Sequence, residues 1–260
     1  IVTLTTGWRT KDFFSGMVKG KLYSSIPDVQ VVDITHDIEQ YSMMNTAFVV
    51  KNACLNFPKG TIHIIDVNSY FDLEKDINFV VIEYNEQYFI CTDNKMPHSI
   101  FGDNCTSIIE IEEFWDSNFY NFAAYDLFCK VAAMIANGTP LEKIGYKRES
   151  LNKSQAISPI YDENSIKANI MYIDSYGNAY LNVKYEEFKR IAQNRPFKVT
   201  LQSGIHKVTE LCPSYHYTKG HPDLVVTVSS TGYIQIAMKI ASAEQLLRLR
   251  ERDQVIITFN

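Results

Sequence analysis

Apolar and polar positions follow two regimes along the 260-residue chain. Up to residue 147, β-branched runs trade places with stretches whose apolar residues recur every three or four positions. "IVTLTT" (1–6) is the first run, and Phe13, Phe14, Met17 and Val18 follow at helical spacing within 10–24. "VQVVDIT" (29–35) is continuous and β-branched, which predicts a strand buried on both faces. Met43, Met44, Phe48 and Val49 return 41–55 to a helical period, opened by Tyr41, and "FPKG" (57–60) stops it. "TIHIIDV" (61–67) predicts a third strand, and "NFVVIEY" with "YFICTD" predicts a hairpin turning at Asn85 and Glu86. "TSIIEIEE" (106–113) predicts another strand, and 122–137 a helix ended by Asn137-Gly138. This alternation implies an α/β unit, a mostly parallel sheet with helices on both faces.

Beyond 147 the periodicity fails. "KRESLNKSQAISPIYDENS" has no regular spacing and predicts a linker. Short β runs follow: "KANIMYID", "AYLNV", "FKVTLQ", "KVTELC", "LVVTVSS", "YIQIAMK" and "QVIITF", interrupted by helices at 185–194 and 242–250. Many short strands separated by turns predict an all-β, barrel-like unit. The expected organisation is an α/β domain over 1–147, a linker over 148–165 and a β-barrel-like domain over 166–260.

Composition narrows the function classes. The formal charge is −5 with no basic block, which argues against a nucleic-acid partner. No apolar run approaches the roughly 20 residues that span a bilayer, and the opening segment is strand-like rather than a secretion signal. Five scattered cysteines without a C-x-x-C pair fit buried thiols in a reducing compartment, so a cytoplasmic protein is expected. Cys212, His216 and His221 lack a fourth ligand at finger-like spacing; no metal is assigned, and their loop is expected to cover a ligand or a subunit interface. The aromatic stretch "FWDSNFYN" (114–121) suggests a packed face or lid. Dinucleotide, phosphate-loop and nucleophile-elbow motifs are missing.

One stretch is richer than its local structure requires. In "MYIDSYGNAYLNV" (171–183) a turn between two β runs needs only Gly177-Asn178, yet Asp174, Ser175 and Tyr176 crowd the same place. Turn chemistry alone accounts for Asp and Asn; a ligand accounts for the whole group.

Six blocks, in order, carry a resemblance. "KDFFSGMVKG" (11–20) resembles D-x-Y-V-G-x-M-K-G of the S-adenosylmethionine (SAM) hydroxide adenosyltransferase family, which also holds the fluorinase and chlorinase. "VVDITHDI" (31–38) resembles its V-D-I-T-H, "NFPKGTIHI" (56–64) its F-P-x-G-T-[IV]-H, and "YFICTDNKM" (88–96) its Y-F-V-A-P-D-N-G-L. "IDSYGNAYLN" (173–182) and "SSTGYIQIA" (229–237) are similar to I-D-S-F-G-N-x-x-T-N and N-S-S-G-Y-L-E-I-A. The resemblance implies an α/β domain, a β-barrel-like domain and a homotrimer with SAM bound at subunit interfaces. It implies that Asp174 holds the methionine ammonium, that Tyr176 lies near adenine and that Asn178 pairs with the adenine edge. Ser230 and Gln235 match positions lining the nucleoside, and Asp12 and Tyr41 match positions on the first-domain side. SAM is then the substrate, and no cofactor is implied.

The resemblance fails where family hydrolases position the nucleophile with an Asp–Arg–His triad. Counted without gaps from His63, the acid falls on Asn68, the arginine on Lys75 and the histidine on Ala123. One gap would align Asp66 with the acid instead. The acid that binds the ribose hydroxyls becomes Gly7 in "TTGW", and Ala124 stands where a fluorinase has serine. Each candidate has a plainer role too: Asp12 as a helix cap, Tyr41 and Tyr176 as packing residues, His36 as a structural histidine, Lys75 as a solvated charge. Two functions remain open: attack of water or hydroxide on C5′ of SAM, giving adenosine and methionine, or a catalytically silent SAM- or nucleoside-binding protein that keeps the fold.

Overall fold

The computed structural model describes residues 1–70, 72–112, 121–155, 157–202, 204–206, 210–216 and 224–260. They fall into two compact units, Ile1–Gln155 and Ala156–Asn260. The first unit has strands β1 (Val2–Thr6), β2 (Val31–Thr35), β3 (Ile62–Asp66), β4 (Phe79–Tyr84), β5 (Gln87–Thr92), β6 (Ser107–Ile111) and β7 (Gly145–Lys147). They form one sheet in the order β2-β1-β3-β5-β4-β6-β7. The sheet is mixed: β2, β1, β3 and β5 run parallel, while β4, β6 and β7 pair antiparallel. The antiparallel half begins at the β4–β5 hairpin, where Asn85 (φ 53) and Glu86 (φ 58) both take the left-handed backbone of a two-residue turn.

Side-chain alternation sends the two sets of strand residues to opposite faces. On one face Val18 and Leu22 of α1 (Phe14–Ser25), with Val131 and Ala132 of α4 (Cys129–Ala136), pack against Leu4, Ile64, Val81 and Ile90. On the other, α2 (Met43–Ala53) and α3 (Met96–Phe101) bring Val50 and Ile100 against Ile65, Val80, Ile82 and Phe89. Strand β2 departs from expectation: its residues are half-buried, with Asp33 exposed, because it is the edge of the sheet and lacks a second neighbour. Helix α1 starts at Phe14 with no side-chain cap, so Asp12 does not cap it. Helix α4 is entered through a π turn, Ala124–Phe128.

The stretch expected to be linker is fastened down over its first half. Arg148 Nη2 donates to Asp76 Oδ2 at 2.7 Å and Nη1 to Glu110 Oε2 at 3.0 Å, Leu151 is buried, and Ser99 Oγ donates to Ser154 Oγ at 2.7 Å.

The second unit is antiparallel throughout. It contains β8 (Ile160–Tyr161), β9 (Ser165–Ile173), β10 (Ala179–Lys184), α5 (Tyr185–Ala192), β11 (Phe197–Leu201), β12 (Gly204–His206), β13 (Leu224–Val228), β14 (Tyr233–Met238), α6 (Ala243–Leu247) and β15 (Gln254–Phe259). The order is β12-β11-β15-β9-β10-β14-β13, with β8 added beside β9. Val199 and Leu201 of β11 share one core with Leu224 and Val226 of β13, at the other end of that order. The sheet therefore curls upon itself, which gives the barrel-like character. Residues 207–209 of the expected strand "KVTELC" lie outside the described residues, and β12 is the strand found beside β11. Among the described residues no helix is long and apolar enough to cross a membrane.

His63 offers a test of the first core. It is fully buried in β3, its Nδ1 lies 2.7 Å from Thr3 Oγ1, and its ring stacks on Phe89 at 4.5 Å. Burial pushes its pKa from 6.5 down to about 4. The unfolded chain takes up this proton below about 6.5 and the folded chain only below about 4, so stability is lost as pH falls through that window. Chemical denaturation of wild type against His63→Gln should show a difference that shrinks by about 1.4 kcal/mol per pH unit inside the window. A pH-independent difference would mean the ring is not held neutral.

Candidate functional site

In the first unit, the ends of β3 and β5 open onto a cavity of about 540 Å³ walled in part by Tyr41, Asn68, Lys75, Asp93, Lys95 and Asn152. The carboxyl ends of parallel strands are where α/β sheets place ligands. Three of the sequence-derived candidates, Tyr41, Asn68 and Lys75, therefore meet here; Asp12 is exposed ahead of α1 and outside the cavity wall. Met43, Val67, Ile77 and Met96 add apolar wall.

The backbone of this wall is unusual. Tyr41 (φ 66), Asn68 (φ 55) and Lys95 (φ 77) all adopt the left-handed region, which costs non-glycine residues about 1 kcal/mol or more and persists only where surroundings impose it. Tyr41 precedes the Ser42 cap of α2 and is 72% exposed, so it does not open the helix or pack there. Lys75 reaches the cavity, but its Nζ is bound to Asp72 Oδ2 at 2.8 Å.

Asp93 anchors the wall. It is 0% exposed, and both carboxylate oxygens accept from the backbone N–H of Asn152, at 3.1 and 3.0 Å. Asn152 Nδ2 donates to the carbonyls of Asp76 (2.7 Å) and Asp93 (2.8 Å). Burial pushes the Asp93 pKa up, against the opposing pull of the Asn152 amide and Arg148.

The other triad-matched and loop positions are filled differently. Ala123 is buried in the α1–α4 core and is not part of the cavity wall. At Gly7 a Cβ would come within 3.0 Å of the Ile38 carbonyl. Neighbouring Trp8 donates Nε1–H to Asp66 Oδ2 at 2.8 Å and stacks on His36. Burial raises the Asp66 pKa, and Asp66 lies outside the cavity wall. His36 is buried with Nδ1 2.7 Å from Thr6 Oγ1, a structural role. Of the lid expected over 114–121, residues 114–120 lie outside the described residues.

In the second unit the Asp174 turn is a closed hydrogen-bonded device. Asp174 Oδ1 accepts from the N–H groups of Tyr176 and Asn178, both at 2.9 Å. Its Oδ2 accepts from Asn178 Nδ2 at 3.0 Å and Tyr180 OH at 3.3 Å. Gly177 holds φ 78, and a Cβ there would lie 2.0 Å from Ser242 Oγ. The turn chemistry of Asp and Asn is thus real, and it leaves the carboxylate rigidly placed. Tyr176 is 80% exposed, which rules out a core role.

Gln235 is fully buried opposite Tyr180 in the β10–β14 ladder, and its Oε1 accepts from Tyr215 OH at 2.7 Å. Tyr180 and Tyr215 belong to the same polar cluster and escaped sequence reasoning. The alternation Asn178, Tyr180, Asn182 into and along β10 was the available signal for the first; the second lies in the loop of Cys212 and His216, which was expected to cover a ligand or a subunit interface. Burial, then the Asp174 charge, raises the Tyr180 pKa strongly. Ser230 is exposed in the β13–β14 turn beside Lys184, whose Nζ donates to the Thr231 carbonyl at 2.8 Å. Ala179 pairs with Ile236 and Lys184 with Tyr233, so Ser230 and the Asp174 turn occupy opposite ends of the ladder. Within this unit they are not brought together. Cys212 is buried, and His221 of the rejected metal reading lies outside the described residues.

Both units match one known family. Residues 2–145 match the SAM hydroxide adenosyltransferase N-terminal domain, and 168–256 its C-terminal domain. An (R)-S-adenosyl-L-methionine hydrolase of Methanocaldococcus jannaschii is 24% identical over 266 residues, spanning 100% of this chain and 96% of that protein. One of the same name from Salinispora tropica is 20% identical, spanning 99% and 97%. An uncharacterized conserved protein from Thermotoga maritima superposes with a TM-score of 0.90 at 23% identity, covering 99% of this chain and 100% of that one. A conserved hypothetical protein from Thermus thermophilus superposes at 0.74 and 18% identity, covering 100% and 99%. These two likenesses establish the fold.

Because Gly177 combines left-handed backbone with contact to Ser242, Gly177→Ala should destabilise the protein by about 1–3 kcal/mol. Urea denaturation measures this; an unchanged midpoint would show that the turn yields freely.

Proposed function

The chain belongs to the SAM hydroxide adenosyltransferase family, and from that premise we propose that it hydrolyses SAM to adenosine and methionine. The observation that carries the proposal is the ordered match of both units to the two domains of one family. Full-length likeness to two proteins named as SAM hydrolases adds to it.

The reaction asks little of acid–base groups. An oxygen lone pair of water or hydroxide forms the C5′–O bond while the C5′–S pair leaves on neutral methionine sulfur. With water as reactant, SAM and H₂O give adenosine, methionine and one proton. Positioning and desolvation of the nucleophile supply the acceleration, since the sulfonium is already a good leaving group. Asp174 is suited to the methionine ammonium because its charge is fixed by four donors before any ligand arrives. Tyr176, Asn178, Ser230 and Gln235 are assigned to the nucleoside, and Asp12 and Tyr41 to the first-domain side of the ligand. Asn68 and Lys75 are assigned to the nucleophile's surroundings, supported by their shared cavity. We assign the protein to the cytoplasm as a homotrimer with its nucleoside sites at subunit interfaces.

A second reading, silent binding of SAM or a nucleoside, is favoured by three residues: Asn68, the buried Ala123 and the crowded Gly7. Incubation with SAM separates the two, with adenosine and methionine appearing in equal amounts if the hydrolase reading holds. Binding measured by calorimetry without turnover above a boiled control would favour the silent one.

Asp174→Asn keeps one oxygen for the backbone donors of Tyr176 and Asn178 but removes the charge. Calorimetry should show SAM affinity reduced about 10- to 100-fold, the worth of a charged hydrogen bond, with adenosine affinity nearly unchanged. Equal weakening of both would remove Asp174 from the ammonium.

A further inference from the structure

The first unit's cavity is bordered by two ammonium groups, and they are not equivalent. The charge of Lys75 is taken up by Asp72 at 2.8 Å. Lys95 makes no side-chain hydrogen bond or ion pair among the described residues, although the acid Asp93 is two positions away. That carboxylate is sealed from solvent and committed to Asn152. Lys95 therefore does not balance a charge in the protein.

Nor is Lys95 there for its backbone. At φ 77 the position favours glycine, which the resembling family block D-N-G carries. A lysine at such a place is strained; Lys95 is exposed where it borders the cavity, and unpaired. A strained, uncommitted cation on the wall of a cavity is a candidate functional group rather than a packing element. The same wall supplies the Asn68 amide as a neighbouring polar group and apolar surface from Met43, Val67 and Met96.

We infer that Lys95 holds an anionic oxygen of the reacting system in this cavity, and so takes over a charge that neither Ala123 nor the paired Lys75 supplies. The oxygen has two sources, the attacking hydroxide or the methionine carboxylate of SAM. In the first case one lone pair of the hydroxide accepts from Lys95 Nζ while another forms the C5′–O bond as the C5′–S pair leaves on sulfur. In the second, the lysine stays bound to the carboxylate as the C5′–S pair leaves. The inference rests on the SAM-hydrolase reading.

Three variants test it: Lys95→Gly, Lys95→Met and Lys95→Arg, with turnover kinetics and calorimetric affinity for SAM and adenosine. Lys95→Gly should fold at least as stably as wild type, with a thermal midpoint higher by about 2–4 °C. Its kcat/KM, and that of Lys95→Met, should fall at least tenfold, and Lys95→Arg should recover part of the loss. A fall in kcat with unchanged SAM affinity identifies hydroxide; a tenfold loss of SAM affinity with unchanged adenosine affinity identifies the carboxylate. Wild-type kcat/KM and SAM affinity in both Lys95→Gly and Lys95→Met overturn the inference alone. If wild type binds SAM without turnover, the hydrolase reading falls, and the affinity arm decides Lys95: weaker SAM binding in Lys95→Met supports it, equal binding overturns it.

Discussion

Asp93 follows β5 directly with none of its surface in solvent, and both its oxygens accept from the single backbone N–H of Asn152. A carboxylate taken out of water must be neutralised or hydrogen-bonded, and here the donor comes from 59 residues further along the chain. The same Asn152 returns its side-chain amide to the carbonyls of Asp76 and Asp93, while Arg148 spans Asp76 and Glu110. The end of β5, the loop carrying Lys75 and the chain leaving β7 thereby become one hydrogen-bonded piece. That piece frames the cavity, with Asp93 two residues before Lys95.

The two units present opposite kinds of polar chemistry. In the second, the turn and Tyr180 hold the Asp174 carboxylate with four donors, so its negative charge is placed with little conformational freedom left to lose on binding. In the first, the donor Lys95 is unsaturated. A zwitterionic, sulfonium-bearing substrate and an oxygen nucleophile need both kinds of group. Each group is set by its own unit, and composition alone reveals neither.

Element types were legible in the sequence because they follow local rules. The hairpin at Asn85-Glu86, the stop at Gly138 and both helix-covered faces follow from turn chemistry and periodicity. What was not legible depends on neighbours. Strand β2 has the composition of a central strand, but its place at the edge is set by topology. Tyr41 fits a helical period and yet lies outside α2, because the Ser42 cap determines where the helix starts. Ser230 and Asp174 belong to adjacent motifs in the resemblance, but antiparallel register puts them at opposite ends of a ladder. Lys95 was visible as a lysine in a glycine block; its isolation from Asp93 was not, since that depends on Asn152 arriving from elsewhere.

The π turn Ala124–Phe128 bears on how this chain can be compared with others. Such a turn accommodates one residue more than a regular helix would hold over the same rise. Each added residue swings everything beyond it by about 100° around the axis. Letter-by-letter matching through this turn therefore presumes that the partner chain carries the same supernumerary residue; without it, the residues of α4 that follow Phe128 would have their spatial equivalents one position away in the sequence.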